Sequence, residues 1–539
     1  MKIQKNLFFV FLIAALLVQV PTSKADVGPT YAIINCKIVP VTSPAIEKGV
    51  IIIRNGLIES LGPKEKVAIP EDAEIIEAEG LIAYPGLISA HTSLFLEPPK
   101  EEPPTPMIVP TETQEVKKGM NSDLFAFKLL KPKKSTIESY QRIGVTTVLV
   151  APERGIFAGQ SVLLNLNGEK AEAMIIKNPV ALHINFATER QAYPSSLMGT
   201  MALLKQSFLD ADYYSLCQAQ FAKAPNGIKR LEYDPFLEAL LPYAKEKKPI
   251  IFTCNNLEDI KRALRLIDKF KLNALLSGAN EAWRVADILK KTKIPLLVTL
   301  NFKPPFTSIY INQGEELKEK AEKEIYPANT SNLYKEGIKF ALTSYGLTEA
   351  SSILKNIQSA VKAGLPKEEA IKALTINPAQ FLGVNQILGS LEPGKIANVI
   401  LTSGEVFEEK TQVEKVFVDG ILFKIEKPPK EAKPSALNIA GSWKATISGP
   451  MGEMEMTVEI EQEGNEIRGF ISSSFGKWEI RDGVLSGNDL SFTLAATIMG
   501  ETMEMNFSGK AEKDTIEGTI AFAGGKAELR ATRVPKGTN

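Results

Sequence analysis

Two histidines in 539 residues is a meagre supply of imidazole. A metal centre built on three or four histidines is therefore out of reach. Cysteine is nearly as scarce. Cys36, Cys217 and Cys254 are odd in number and far apart, which excludes a disulfide framework and a CxxC zinc site and leaves three buried thiols as the expectation. Net charge is missing as well: 63 basic residues balance 63 acidic ones, so nothing points to nucleic acid or an anionic membrane as a partner. A long apolar run occurs at the N-terminus, where Lys2 and Lys5 precede Leu7–Val20 and the small residues Ser23 and Ala25 follow. That is the layout of a secretory signal over 1–25, cleaved after Ala25. No cysteine follows the run to take a lipid, so the expectation is export to the bacterial periplasm with no membrane anchor after cleavage.

What is present divides by texture. "TYAIINCKIVPVTSPAIEKGVIIIRNGLIESLGP" alternates apolar and polar residues and breaks at Asn55-Gly56, which predicts short antiparallel strands joined by a hairpin. From residue 84 onward, short apolar strands such as "VTTVLVAP", "KPIIFTC", "NALLSG", "IPLLVTL" and "IKFALTS" alternate with amphipathic helical stretches such as "LEDIKRALRLIDKF". That alternation predicts a parallel α/β architecture. Residues 97–135 are rich in proline and charge and read as a surface excursion before the next strand. Strand texture returns near 386, and 426–436 ("EKPPKEAKPSA") reads as a linker. The last hundred residues alternate without helical periodicity. "MGEMEMTVEIEQEGNEIRGFI" and "MGETMEMNFSGKAEKDTIEGTI" share one order of motifs, which suggests an internal duplication in a small meandering sandwich or barrel.

The blocks "IIIRNGLIESLGP", "GLIAYPGLISAHTSL", "RIGVTTVLVAP", "GIFAGQSVLLNLNG" and "AIKALTINPAQFLGVNQILGSLEPGKIANVIL" occur in this order. Together they resemble the amidohydrolase superfamily, in particular its imidazolonepropionase-like, periplasmic branch. The resemblance spans 28–425 and implies an α/β fold: a (β/α)8 TIM-like barrel over 84–385 and a composite β-sandwich domain from the flanking segments 28–83 and 386–425. An all-β domain over 437–539 would follow. It also implies hydrolysis of carbon–nitrogen bonds other than peptide bonds, with zinc or another divalent metal held at the C-terminal ends of the barrel strands.

Position by position, this sequence departs from the family's ligand pattern. On strand one, His91 is kept, but Ser93 stands where the second histidine of His-x-His belongs, and Ser89 replaces an acidic residue. Thr253 and Gly278 occupy the histidine places of strands five and six. Tyr345 occupies the aspartate place of strand eight, and Asn398 another aspartate place near the end of the barrel. His183 lies near the place where strand four sometimes carries a lysine. Serine, threonine and glycine bind zinc poorly, and neutral tyrosine is an uncommon ligand. The reading is a degenerate member with no metal and no other cofactor. Its pocket positions would be His91, Ser93, His183, Thr253, Gly278, Glu281 and Tyr345, with no residue assigned as catalytic.

Several alternatives stay open. His91 and His183, with Glu281 or Glu189, could form a residual two-histidine site. Cys254 could be a nucleophile, although a buried strand thiol is usually inert. Ser161 and Ser344 lack a nucleophile-elbow context, and Gly159-Gln160-Ser161 reads as a tight loop at the barrel mouth. Glu281 and Trp283 could touch a ligand. The functional expectation is a binding or scaffold role: a small molecule at the barrel mouth, a homo-oligomer, or a hetero-oligomer with an active relative. The alternative is a metal-independent or residual hydrolase acting on amide, cyclic amide or dipeptide-like substrates.

Overall fold

The computed structural model describes residues 28–96, 119–168, 170–188, 193–304, 315–347, 349–425, 437–449, 452–473, 476–498, 501–522 and 525–534. The signal segment 1–25, the linker 426–436 and Glu189 lie outside the described residues. The chain forms two compact units, Met1–Ile425 and Glu426–Asn539.

In the first unit, strands from both ends of the sequence share one sheet. Its spatial order is Ile421–Lys424, Val413–Val418, Val399–Thr402, Ile82–Pro85, Tyr31–Ile38, Ile46–Arg54 and Leu57–Pro63, with Glu74–Glu77 also on Tyr31–Ile38. The join is the antiparallel pairing of Val399–Thr402 with Ile82–Pro85, which makes the β-sandwich domain composite. The Asn55-Gly56 hairpin forms as its sequence predicts: both residues have positive φ, 52° and 78°, the condition for a two-residue turn that follows the strand twist.

The barrel stands between those flanks. Leu87–Thr92 and Val145–Val150 pair in parallel. Leu182–Asn185, Ile250–Cys254, Ala274–Gly278, Leu296–Thr299 and Phe340–Thr343 form a second parallel run. The two runs are bridged by antiparallel strands: Val162–Asn165 pairs with Val145–Val150, and Phe157–Gln160 with Leu182–Asn185. Ser161 is the corner between these bridging strands, where its amide and hydroxyl both bond to the Ala181 backbone. Gly159-Gln160-Ser161 is thus strand and corner at the N-terminal end of Leu182–Asn185, and the mouth loop expected there is not formed. The described part of the proline-rich excursion also departs from a surface loop. Ser122 and Ala126 are fully buried, and Gln160 bonds the Ser122 and Leu124 carbonyls.

Where the first and last strands meet, side chains tie the seam. Thr343 Oγ1 donates to the His91 carbonyl, the Ser344 amide donates to Ser89 Oγ at 3.1 Å, and the two serine hydroxyls lie 2.7 Å apart. Inside, pleat alternation sorts residues into layers. Ile251, Leu275, Leu297 and Ala341 share one buried apolar cluster. Two residues further along the same strands, Thr253, Ser277, Thr299 and Thr343 form a hydroxyl layer, all buried. Outward-facing Phe252, Leu276, Val298 and Leu342 pack with Ala263, Leu266 and Leu289 of the surrounding helices.

The second unit is a closed antiparallel barrel of eight strands from Gly441–Gly449 to Gly525–Arg533, each pairing with the next and the last with the first. The repeated motifs lie in equivalent hairpins, Gly452–Glu463 with Glu466–Ser473 and Glu501–Ala511 with Thr515–Phe522. Trp443 fills the core, donating from its indole to the Ile439 carbonyl (2.9 Å), and the Arg533 guanidinium lies over its ring at 4.5 Å.

Candidate functional site

Active sites on such barrels gather at the C-terminal strand ends. There the chain brings His91, His183, Ser277 and Tyr345 together. The His91 ring stacks on Tyr345 with centroids 4.6 Å apart and an interplanar angle of 17°, and it lies 4.8 Å from the His183 ring. His91 Nδ1 and Ser277 Oγ are 2.6 Å apart. Both imidazoles are buried. Among the described residues, His91 Nε2 and both ring nitrogens of His183 have no hydrogen-bond partner, which is costly for polar atoms out of water. Burial drives the His91 pKa down to about 3. His183 is also pushed well below the usual imidazole range, by burial first and then by His91. At neutral pH both rings are uncharged.

Tyr345 separates this pair from the outside. Burial, with Glu153 adding to it, raises its phenol to about 12, and Asn255 bonds to its side chain. Above it opens a cleft of about 340 Å³ lined by Glu153, Asn255, Asn280, Thr299, Asn301 and Lys303 beside Tyr345. Each asparagine stands just beyond a barrel strand: Asn255 after Ile250–Cys254, Asn280 after Ala274–Gly278, Asn301 after Leu296–Thr299. Asn280 Nδ2 donates to the Asn301 carbonyl (2.9 Å), and Asn301 Nδ2 to the Gly346 carbonyl (3.1 Å). Glu153 and Lys303 put one charge of each sign on the rim.

Of the expected pocket positions, Tyr345 alone lines this cleft. His91 and His183 lie beneath it. Thr253 is buried in the hydroxyl layer, and Ser93 is half-buried just past strand one. Gly278 has φ of +86°, and a Cβ there would meet the Cys254 carbonyl oxygen at 2.9 Å. No side chain fits without moving that strand. Glu281 turns away: it accepts from the Leu257 amide (2.8 Å) and the Tyr326 hydroxyl (3.1 Å) and pairs with Arg284 (3.5 Å). It stabilises the start of helix Leu257–Phe270, where a carboxylate is favoured. Trp283 packs edge-on against Tyr326. The Cys254 thiol is fully buried and raised well above its usual range by burial and then by Asp259, the opposite of an activated nucleophile. Ser344 is spent on the seam and Ser161 on the corner.

Ser277 and the three asparagines escaped the sequence reading. A signal existed for the asparagines: "TCN", "SGAN" and "TLN" end three consecutive strands. For Ser277 there was none, since only the folded pleat reveals its contact with His91.

Residues 243–422 match the Amidohydrolase family. An amidohydrolase from Thermotoga maritima MSB8 superposes with a TM-score of 0.61 at 26% identity, covering 73% of this chain and 100% of that one. Adenine deaminase 1 of Bradyrhizobium sp. (strain ORS 278) is 40% identical over 65 residues, 12% of this chain and 10% of the deaminase. Adenine deaminase 1 of Desulfotalea psychrophila is 30% identical over 131 residues, 23% of this chain and 21% of the deaminase. The chain thus spans only a tenth to about a fifth of the length of these curated relatives. Residues 243–422 thus carry an Amidohydrolase family domain, within a fold similar to that of a solved amidohydrolase.

Proposed function

We propose that this chain is a non-hydrolytic member of its superfamily, one that binds a small polar molecule in the cleft above Tyr345. The observation that carries the proposal is the stack of Tyr345 on His91 at the place where the superfamily gathers its metal ligands. A zinc-like ion takes four donors, mostly imidazole, thiolate or carboxylate. Here two imidazoles are available, one already engaged with Ser277. Around them stand the hydroxyls of Thr253, Ser277, Thr299 and Thr343. Among the described residues no three of His, Cys, Asp and Glu are placed to hold an ion, and Gly278 has no room for a ligand. These residues do not fit the superfamily's metal, and no reaction step is routed through one.

The cleft supports the binding half of the reading. Carboxamides supply donors and acceptors together, Thr299 and Tyr345 add hydroxyl chemistry, and Glu153 with Lys303 would suit a neutral or zwitterionic molecule over a strongly charged one. A metal-independent hydrolase is the weaker reading. His91 is neutral at pH 7, but the hydroxyl beside it, Ser277 Oγ at 2.6 Å, is buried with it beneath Tyr345, and neither residue lines the cleft.

Thermal-shift screening of the full chain against dipeptides, cyclic amides and adenine, with hydrolysis assayed alongside, tests both halves. Adenine enters the panel because the curated relatives carry that deaminase name. The expected result is stabilisation by one polar ligand, lost in Asn301→Ala, with no turnover. Turnover abolished by a chelator would overturn the proposal.

A further inference from the structure

The 27-residue helix Leu197–Lys223 is apolar on two opposite faces. One face, with Leu204, Phe208, Ala211 and Tyr214, is buried in the first unit. The other shows Met198 (83% exposed), then about three turns later Leu209 (45%), followed at four and three residues by Tyr213 (68%) and Leu216 (66%). Solvent-facing helix sides ordinarily carry charge instead. Tyr193 bonds the Gly199 carbonyl, and the Asp234 amide bonds the Tyr214 hydroxyl, so exposed Tyr193 and Tyr233 flank the same helix.

We propose that this face is a twofold interface between two copies of the chain. The helices would pack antiparallel about a point beside Tyr213, so that Leu209 of one copy meets Leu216 of the other. A twofold contact needs a patch complementary to itself, and this spacing supplies one. Lys205 then faces Gln220 across the contact. Asp212, near the centre, is already neutralised by Lys245 at 2.6 Å. The exposed side chains together offer several hundred square ångströms, in the range of the roughly 800 Å² per partner that a standard interface takes. The acidic Asp210 beside the apolar residues argues against an anionic lipid surface as the occupant. The inference stands apart from the proposed ligand cleft, on which it does not draw.

Sedimentation of the full chain at micromolar concentration tests it. The expected result is twice the chain mass, returning to a single chain mass in Leu209→Glu/Leu216→Glu while circular dichroism and melting stay as in the parent. A second variant, Cys217→Ser/Tyr213→Cys, should form a disulfide-linked dimer under mild oxidation, which decides the matter even if the glutamates disturb folding. A parent chain that sediments as a monomer overturns the proposal, whether or not it floats with phosphatidylglycerol vesicles. So does a dimer that survives both glutamates and fails to cross-link.

Discussion

Two buried polar clusters sit in the same unit and are built on opposite terms. In one, Asn398 Nδ2 donates to Thr147 Oγ1 (3.1 Å) and Asn165 Oδ1 (3.0 Å), and Asn398 Oδ1 accepts from the Asp419 amide (2.9 Å). Asn165 and Asn167 then donate to the Asp419 carboxylate, which burial raises above its usual range. Every member has a partner. In the other, His91 and His183 leave three ring nitrogens without one among the described residues. The first cluster fastens the β-sandwich domain to the second barrel strand, and its polarity is structural. The second makes one hydrogen bond, between His91 Nδ1 and Ser277 Oγ, against three nitrogens without one. The difference teaches that a polar residue at a strand end can persist as a cost that the rest of the fold offsets.

That contrast can be broken from the satisfied side first. Asn398→Leu leaves the Asp419 amide without its acceptor and removes two further bonds, while Thr147 Oγ1 and Asn165 Oδ1 keep each other at 2.7 Å, and it should cost about 3 kcal/mol. It would be read as a lowered urea midpoint of the barrel unit, and a change under 1 kcal/mol would mean the network is not structural.

Acid acts on the other cluster. The unfolded chain binds protons at His91 below the ordinary imidazole pKa of about 6.5, while the folded chain resists until about 3. Stability is therefore full above pH 6.5 and falls as the pH drops through that window, by about 2 kcal/mol at pH 5 from His91 alone. His183 shifts in the same direction and adds to the loss. Urea unfolding at pH 7 and pH 5 should show this slope, and His91→Phe/His183→Leu should flatten it. A double variant as acid-sensitive as the parent would place the slope elsewhere.

Smaller effects sharpen the comparison. Tyr345→Phe keeps the ring on His91 and loses the Asn255 hydrogen bond, a cost of about 1 kcal/mol in melting experiments. His183→Leu at pH 7 should be neutral or stabilising by up to about 1 kcal/mol, since it removes two unpaired nitrogens at similar volume. A large loss there would reveal a partner for His183.

Much of this was legible before any coordinates. The Pro-Gly-led strand ending at His91, the Asn55-Gly56 turn and the strand texture on both sides of the barrel are local patterns, and local patterns survive into the fold. What escaped reading was non-local. Glu281 looked like a pocket residue because it follows a barrel strand, yet the nearby amide of Leu257 captured it. Gly159-Gln160-Ser161 looked like a loop because glycine and serine favour turns, yet strand pairing on both sides kept it extended. The second apolar face of Leu197–Lys223 hid in plain composition, since a helix apolar on both sides carries no amphipathic signature.

The most direct measurement is the divalent metal content of the purified full chain, taken together with amide and adenine hydrolysis before and after chelation. The account predicts far less than one metal per chain and no chelator-sensitive turnover. A stoichiometric ion, lost to the chelator along with hydrolysis and restored by zinc, would contradict it.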